Sequence, residues 1–261
     1  MPPEALQLIP VEARTKRKPF ELVAEMKRSL KSSHLWLRDG DILILSGKYL
    51  AMAEGRFVEL GKVVPLGDAV EYASRYGMSQ GLAETVLRES DYVLRGMQGF
   101  LLTIKDGFFA PNAGVDKSNI PRGQAILHPS NGSGLAARIR REVLLAFGVR
   151  VGVVITDSRL QPLRRGTVGT SIGFSGFEGV VDDRGRKDLF GNRLKVTRRA
   201  LADDLACGAE LLMGESDESV PMVVARSTGF RLSDTDSFDV PVSPDECIFV
   251  RGLSDHGRGS G

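Results

Sequence analysis

The clearest structural signal in the chain is the stretch Val149-Arg150-Val151-Gly152-Val153-Val154-Ile155-Thr156. Its run of valine and isoleucine favours a strand, because β-branched side chains pack well on a pleated surface. We therefore predict a buried strand here. Asp157 and Ser158 follow directly at its carboxyl end, so the strand presents a carboxylate and a hydroxyl together.

Apolar runs and helical patterns extend from this strand in both directions. Further strands are predicted at residues 6–10, 42–45, 124–127, 193–197, 220–225 and 248–250, and hairpin arms at 100–104 and 108–109. Helices are predicted at residues 68–76, 79–87, 135–148 and 201–214. Because strands and helices are interspersed without a regular βαβ repeat, we predict the α+β class, with mixed sheets.

The composition is that of an ordinary folded protein. The 261 residues include 35 Lys and Arg against 33 Asp and Glu, a net charge of +2, which excludes a polycationic nucleic-acid coat. No apolar run approaches the ~20 residues of a membrane span, and no signal peptide is evident. We expect no nucleic-acid or membrane partner. The length fits one domain over residues 1–253, single or as two interlocked lobes, and a disordered polar tail over 254–261.

Cysteine and histidine are scarce. Cys207 and Cys247 are the two cysteines and have no CxxC spacing, which suits the reducing cytoplasm. Only three histidines are present, which argues against a zinc site of the His/Cys kind. A metal in this protein is therefore expected to be held by oxygen atoms.

Polar segments follow two of the predicted strands. Ser46-Gly47-Lys48 could place an ammonium group against a phosphate, or could simply be a turn between a strand and a helix. Asp157-Ser158 resembles the way in which many phosphate-handling enzymes hold a hard metal, although Asp157 could also be only a helix cap. Either segment alone leaves both interpretations open.

Two further segments have the same ambiguity. In residues 112–119, Asp116 could bind Mg²⁺ or Mn²⁺ and Asn119 a nucleotide, or the loop could satisfy only its own backbone. Arg164-Arg165-Gly166 leads into a glycine-rich stretch that is neither a Walker A loop nor a dinucleotide-binding fingerprint. Paired arginines can bind phosphate or carboxylate, whereas the glycines could instead allow tight backbone packing.

Five motifs occur together in the order found in one known family. They are Asn112-Ala113-Gly114-Val115-Asp116 with Ser118-Asn119, Ile155-Thr156-Asp157-Ser158, Arg164-Arg165-Gly166, Gly185-Arg186-Lys187-Asp188-Leu189-Phe190-Gly191, and Leu211-Leu212-Met213-Gly214-Glu215. Ala53-Glu54-Gly55-Arg56 also fits. Through these motifs the chain resembles coenzyme F-420:L-glutamate ligases over residues 9–226, nearly its whole length.

The resemblance implies an α+β enzyme of the cytoplasm that forms an intertwined homodimer. Its implied cofactors are GTP as co-substrate and Mg²⁺ or Mn²⁺, with K⁺ as a further candidate. GTP would convert the carboxylate of the deazaflavin coenzyme F-420 precursor into an acyl phosphate. The amine of L-glutamate would then attack, and γ-linked glutamates would follow.

The resemblance also implies roles for individual residues by matching position. The implied metal ligands are Asp116, Asp157, Ser158 and Glu215. The implied catalytic residues are Asp116, Asp157, Arg164 and Arg165. The implied nucleotide-binding residues are Pro10, Val11, Glu12, Ala13, Arg14, Ser46, Gly47, Lys48, Asn119, Met213, Gly214, Glu215 and Ser216.

The chain departs from the family pattern at three positions. Ala13 stands where a glycine is usual, Met52 where a nucleotide-binding lysine is usual, and Ser158 where a threonine is common. Ser158 keeps the hydroxyl, and Lys48 could compensate for the lysine absent at position 52. The departures keep two alternatives open: a ligase of the same superfamily with a different acid substrate, and a non-catalytic protein that binds nucleotide or deazaflavin.

Overall fold

The structure, a computed structural model, describes residues 4–234 and 240–254. Its strands are β1 (Gln7–Val11), β2 (Ile42–Ser46), β3 (Phe57–Glu59), β4 (Tyr92–Met97), β5 (Phe100–Lys105), β6 (Phe108–Pro111), β7 (Gln124–Ile126), β8 (Gly152–Leu160), β9 (Thr167–Ser175), β10 (Val181–Asp182), β11 (Arg198–Arg199) and β12 (Met222–Arg226). Its α-helices are α1 (Leu22–Ser32), α2 (Gly47–Ala53), α3 (Gly67–Tyr76), α4 (Gln80–Glu89), α5 (Gly132–Phe147), α6 (Leu201–Met213) and α7 (Ile248–Ser254). Short 3-10 turns occupy Leu60–Lys62 and Asn112–Gly114.

A five-stranded mixed sheet with the order β1-β12-β2-β8-β9 forms the centre of the fold. The neighbours β2 and β8 are parallel, and the other neighbouring strands are antiparallel. In the parallel pair Ser46 lies opposite Thr156. Asp157 and Ser158, expected to follow this strand, lie within β8, which continues to Leu160. Because β2 and β8 are parallel, the segment that follows β2 lies beside these two residues.

This sheet is buried on both faces. Leu43 and Leu45 of β2 pack on one side with α1 and α5, whereas Ile42 and Ile44 pack on the other side with α6. Successive side chains of a strand point to opposite faces, so a continuous apolar run is required when helices cover both. The apolar runs predicted as strands at residues 42–45 and 149–156 correspond to β2 and the first part of β8.

The glycine-rich stretch after Arg165 forms β9, which was not predicted as a strand. Its glycines permit close packing of backbone on backbone. A Cβ atom on Gly173 would lie 2.3 Å from the carbonyl carbon of Gly132, at the first turn of α5. The interpretation of these glycines as packing positions is therefore confirmed, and any larger residue at Gly173 would push α5 away from the sheet.

A second unit, here named the small lobe (residues 67–114), contains the antiparallel sheet β4-β5-β6 and helices α3 and α4. Leu82 and Val86 of α4 pack against Leu101 of β5 in a separate apolar cluster. The hairpin predicted from Asp106-Gly107 joins β5 to β6 and is confirmed. The small lobe ends in the Asn112–Gly114 turn, which leads to Asp116.

Two of the predicted strands are wrong. Residues 193–197 are not a strand; the nearest is the two-residue β11, and Val196 is 85% exposed, so no apolar burial supports a longer one. Residues 248–250 belong to the helix α7. A strand without a neighbour leaves its backbone groups unpaired, whereas a helix pairs them internally. Ser254, assigned to the tail, ends α7, and residues 255–261 of that tail lie outside the described residues.

The α+β class, with mixed sheets and interspersed helices, is confirmed by this arrangement. Among the helices of residues 4–234 and 240–254, none has the length and apolar character needed to span a bilayer. The division into a domain over 1–253 and a tail stays a prediction.

Candidate active site

A cleft of about 610 Å³ lies where β2 ends, beside the second half of β8. Five segments from distant parts of the chain form its walls. They are the loop after β1, the start of α2, the segment that follows β6, the second half of β8, and the end of α6 with its loop to β12. The cleft thus combines the main sheet, which supplies a rigid edge, with the segment that follows the small lobe.

Asp116 projects into the cleft and forms an ion pair with Lys48. The ammonium Nζ of Lys48 lies 2.6 Å from Oδ2 of Asp116 and donates a hydrogen bond to Oγ of Ser118 at 2.8 Å. The backbone N–H and the hydroxyl of Ser118 each donate to the Asp116 carboxylate at 2.7 Å. Burial raises the pKa of Asp116, but Lys48 and Ser118 outweigh burial and hold that pKa below its usual range.

Asp157 lies on β8 among basic side chains. Its Oδ2 is 3.6 Å from Nε2 of His128 and 3.5 Å from Nε of Arg159. Burial raises the pKa of Asp157, yet His128, Arg159 and the nearby Lys48 together hold it below its usual range. Asp157 is therefore an anion at neutral pH and can bind a cation without first losing a proton.

A second acidic pair lies near Asp157: Glu210 belongs to the last turns of α6, and Glu215 to the loop that follows it. Glu215 accepts a hydrogen bond from Oγ1 of Thr167 at 2.6 Å. Burial, together with the charges of Glu215 and Asp157, raises the pKa of Glu210 to about 7. These carboxylates repel one another, so this side of the cleft favours a bound cation.

The donor set of the cleft suits a hard divalent cation, which prefers carboxylate and hydroxyl oxygens. The residues implied as metal ligands, Asp116, Asp157, Ser158 and Glu215, all line the cleft. Within the described parts of the chain, however, no three His, Cys, Asp or Glu side chains converge closely enough to form a complete ligand set. The residues therefore fit a metal by donor type and by charge, and a substrate or solvent oxygen would have to complete its shell.

The loop after α6 is held over the cleft by contacts from two other segments. Nδ2 of Asn119 donates to the carbonyl of Ser216 at 2.9 Å, and the N–H of Ala13 donates to the carbonyl of Ser219 at 2.9 Å. The loop begins at Gly214, with φ +64° and ψ −174°, a conformation essentially restricted to glycine. A Cβ atom there would also lie 2.2 Å from the carboxyl carbon of Glu218, so the turn requires glycine.

Most of the sequence-predicted site residues meet in this cleft. Those that line it are Ala13, Arg14, Ser46, Lys48, Asp116, Asn119, Asp157, Ser158, Met213, Gly214, Glu215 and Ser216. Met52, the departure from the family pattern, lines it as well. The pairing of β2 with β8 contributes to this convergence of residues that lie more than 200 positions apart in the chain.

Six predicted residues are not brought to the cleft. Val11 is completely buried in the apolar core, so its side chain cannot contact a ligand. Pro10 and Glu12 are exposed beside it, and Gly47 is buried below the cleft lining. Arg164 and Arg165 are exposed in the turn between β8 and β9 and do not line the cleft, so their catalytic role stays a prediction.

Sequence reasoning missed three polar residues of the site. Arg159 stands two residues after Asp157, and period-two alternation along a strand could have placed both on one face. Glu210 stands four residues after Ala206, which is buried, so it was recognisable as an acid on the apolar face of a helix. His128 is 5% exposed and contacts Asp157 from a loop, and no local pattern indicates this.

Comparisons with known proteins identify the family of this chain. Residues 12–227 match the model of a family described as F420-0:Gamma-glutamyl ligase. The chain is 39% identical over 221 residues to the coenzyme F420:L-glutamate ligase of Archaeoglobus fulgidus, covering 85% of this chain and 87% of that protein. It is 37% identical over 214 residues to the enzyme of the same name from Methanocaldococcus jannaschii, covering 82% and 86%. The corresponding protein of Methanopyrus kandleri is 38% identical over 222 residues, covering 85% and 86%. This chain is therefore a ligase enzyme and belongs to the F420-0:gamma-glutamyl ligase family.

Proposed function

We propose that this enzyme uses GTP and a divalent cation to join L-glutamate to the carboxylate of the deazaflavin coenzyme F420 precursor, F420-0, and then adds γ-linked glutamates. One observation carries the proposal. The acidic and hydroxyl side chains implied as metal ligands, together with Lys48, meet in one cleft of a chain that belongs to this family.

The chemistry begins with an unreactive acid. A free carboxylate resists attack by an amine, because an oxide ion is a very poor leaving group. In the proposed first step, a carboxylate oxygen of F420-0 attacks the γ-phosphorus of GTP, and the bond to the β-γ bridging oxygen breaks to release GDP. The amine of glutamate then attacks the acyl carbon of the acyl phosphate, and inorganic phosphate and a proton leave as the amide bond forms.

The nucleotide is proposed to lie between Lys48 and the loop that begins at Gly214. Lys48 is held at 2.6 Å from Asp116, and a triphosphate entering the cleft would offer this ammonium further anionic oxygens. The loop is fixed by Asn119 and Ala13, so its backbone groups are positioned before the nucleotide arrives. Arg14, also at the cleft wall, adds a second positive side chain.

Divalent cations are proposed to bind to Asp116, Asp157, Ser158 and Glu215. A cation at these residues would offset the repulsion between the triphosphate and the attacking carboxylate. Neighbouring side chains keep two of these carboxylates ionised. Lys48 and Ser118 do so for Asp116, and His128 and Arg159 do so for Asp157. K⁺ is proposed as an additional ion, which exchange of K⁺ for Na⁺ in the assay would test.

A homodimer is also proposed, with the outer face of the small-lobe sheet as its interface. Tyr92, Met97, Phe100 and Leu102 lie on one side of β4 and β5 and are 67%, 69%, 51% and 41% exposed. An apolar sheet face of this kind is stabilised when another apolar surface covers it. Light scattering should give the mass of a dimer, and Leu102→Glu should shift it to a monomer; a monomeric wild-type protein would contradict this part of the proposal.

The decisive assay combines the pure enzyme with F420-0, GTP, Mn²⁺ and L-glutamate and measures both released phosphate and product mass. We expect a product heavier by one glutamyl residue and one phosphate released for each bond formed. Omission of GTP and the variant Asp157→Asn are the controls. Phosphate release with another acid but not with F420-0 would favour a different substrate, and binding without phosphate release would favour a non-catalytic protein.

A further inference from the structure

Arg159 is a buried charge at the point where the small lobe meets the main sheet. It lies on β8 two residues after Asp157, so the two side chains share one face of the strand. Only 6% of Arg159 is exposed. A buried guanidinium group is unfavourable unless other groups compensate for its charge and its N–H donors.

The guanidinium group is compensated by three different segments. Its Nη1 donates to the carbonyl of Phe109 at 2.9 Å, and the group lies 5.1 Å from the ring centre of Phe108. Its Nη2 lies 3.3 Å from Nε2 of His128. Its Nε is 3.5 Å from the carboxylate of Asp157 and, among the described residues, forms no hydrogen bond. One side chain therefore spans β6, the loop at His128 and β8.

These contacts connect the two carboxylates of the cleft. Phe109 lies in β6, which continues directly through the Asn112–Gly114 turn to Asp116. Asp157 belongs to the main sheet and Asp116 to the segment that follows the small lobe. Arg159 therefore joins the strand that carries Asp157 to the segment that leads to Asp116, which is also held by backbone hydrogen bonds to Ile126.

We propose that Arg159 is a positioning residue that sets the distance between Asp116 and Asp157 and thereby the affinity of the cleft for a divalent cation. This inference rests on the proposed function, since it takes the two carboxylates as metal ligands. Groups that orient metal ligands typically contribute 10- to 100-fold in metal affinity.

The direction of the effect separates positioning from simple electrostatics. Removal of a positive charge beside Asp157 would, by charge alone, make a cation bind more tightly. Loss of positioning would make it bind more weakly. Lysine keeps the charge but has one compact ammonium group in place of the planar fork of arginine, so it cannot span the same three segments.

The test measures Mn²⁺ binding without substrates, by calorimetry and by the electron paramagnetic resonance signal of free Mn²⁺. Arg159→Met and Arg159→Lys are each expected to bind Mn²⁺ about 10-fold more weakly than the wild-type enzyme. Arg184→Met is the control, because Arg184 is exposed and forms its ion pair with Asp182, outside the cleft lining. Its Mn²⁺ affinity should equal that of the wild type.

The other possible outcomes contradict either the positioning role of Arg159 or the metal site itself. Unchanged or tighter binding by Arg159→Met, or full restoration by Arg159→Lys, would show that Arg159 does not act by positioning. Absence of Mn²⁺ binding by the wild-type enzyme would instead overturn the metal site of the proposed function, and this inference with it. Circular dichroism and thermal unfolding establish that each variant is folded, and Arg159→Lys carries the test if Arg159→Met does not fold.

Discussion

Replacement of Glu210 by glutamine is expected to stabilise the metal-free protein at neutral pH. Burial and the charges of Glu215 and Asp157 together raise the pKa of Glu210 from its usual 4.5 to about 7. Between these two pH values the folded chain holds a proton that the unfolded chain has lost. The contribution of Glu210 to the free energy of unfolding therefore falls as pH rises from 4.5 to about 7.

The size of this effect follows from the interval between the two pKa values. Each pH unit corresponds to about 1.4 kcal/mol, so an interval from 4.5 to about 7 corresponds to about 3 kcal/mol. Because Glu210 is only partly buried, solvent screening reduces the expected gain to about 1–3 kcal/mol. Glutamine keeps the size of the side chain, and its amide can donate a hydrogen bond to Glu215 as the protonated acid does. The difference in free energy of unfolding between the variant and the wild type therefore measures the effect of the charge.

The assay is urea unfolding of the wild type and Glu210→Gln, with chelator present, at pH values from about 4 to 8. Below the usual pKa of 4.5 the two stability curves should run parallel, because the carboxyl group is protonated in both states. Above this pH the curves should diverge, with the variant becoming the more stable protein. Saturating Mn²⁺ should reduce the divergence, since a cation favours the ionised acid. Parallel curves over the whole pH range would refute the reasoning.

Three further variants test other parts of the structure. Asp157→Asn should lower the turnover of the ligase reaction about 10²–10³-fold while its circular dichroism stays that of the wild type; turnover within a few-fold of the wild type would contradict the assigned role. Gly214→Ala should lower the free energy of unfolding by about 1–3 kcal/mol and raise the KM for GTP, because the added Cβ atom would collide with Glu218. An unchanged KM would exclude this loop from the nucleotide site. Arg226→Met should lower the free energy of unfolding by about 3–5 kcal/mol, because Arg226 donates two hydrogen bonds to the buried Asp41, at 2.9 and 2.7 Å. Urea unfolding measures this loss, and a smaller loss would show that the ion pair contributes little to stability.

The sequence was most informative where a local pattern coincides with burial. The apolar run at residues 42–45 and the β-branched run at 149–156 predicted β2 and the first part of β8, because a strand covered on both faces must be apolar throughout. It was least informative about β9, because glycine disfavours strands. The glycines of β9 are explained by the close approach of α5 at Gly173 and of α6 at Gly169, which only the tertiary structure shows. Arg164 and Arg165 illustrate a third case: they follow the end of β8 by a few residues and lie in its exposed turn, away from the cleft.

By itself the sequence determined the α+β class and the family, because these depend on local pattern and on motifs in fixed order. It also predicted the oxygen-bearing residues Asp116, Asp157, Ser158 and Glu215 as metal ligands. Only the tertiary structure decided that β2 and β8 are neighbours and that Lys48 forms an ion pair with Asp116. It also decided that Arg159, among 35 Lys and Arg residues, is the one buried beside Asp157. Hydrophobic periodicity specifies which face of a strand is covered, but not which strand lies beside it. Electrostatic interactions depend on distances between residues far apart in the chain, and the fold alone sets those distances.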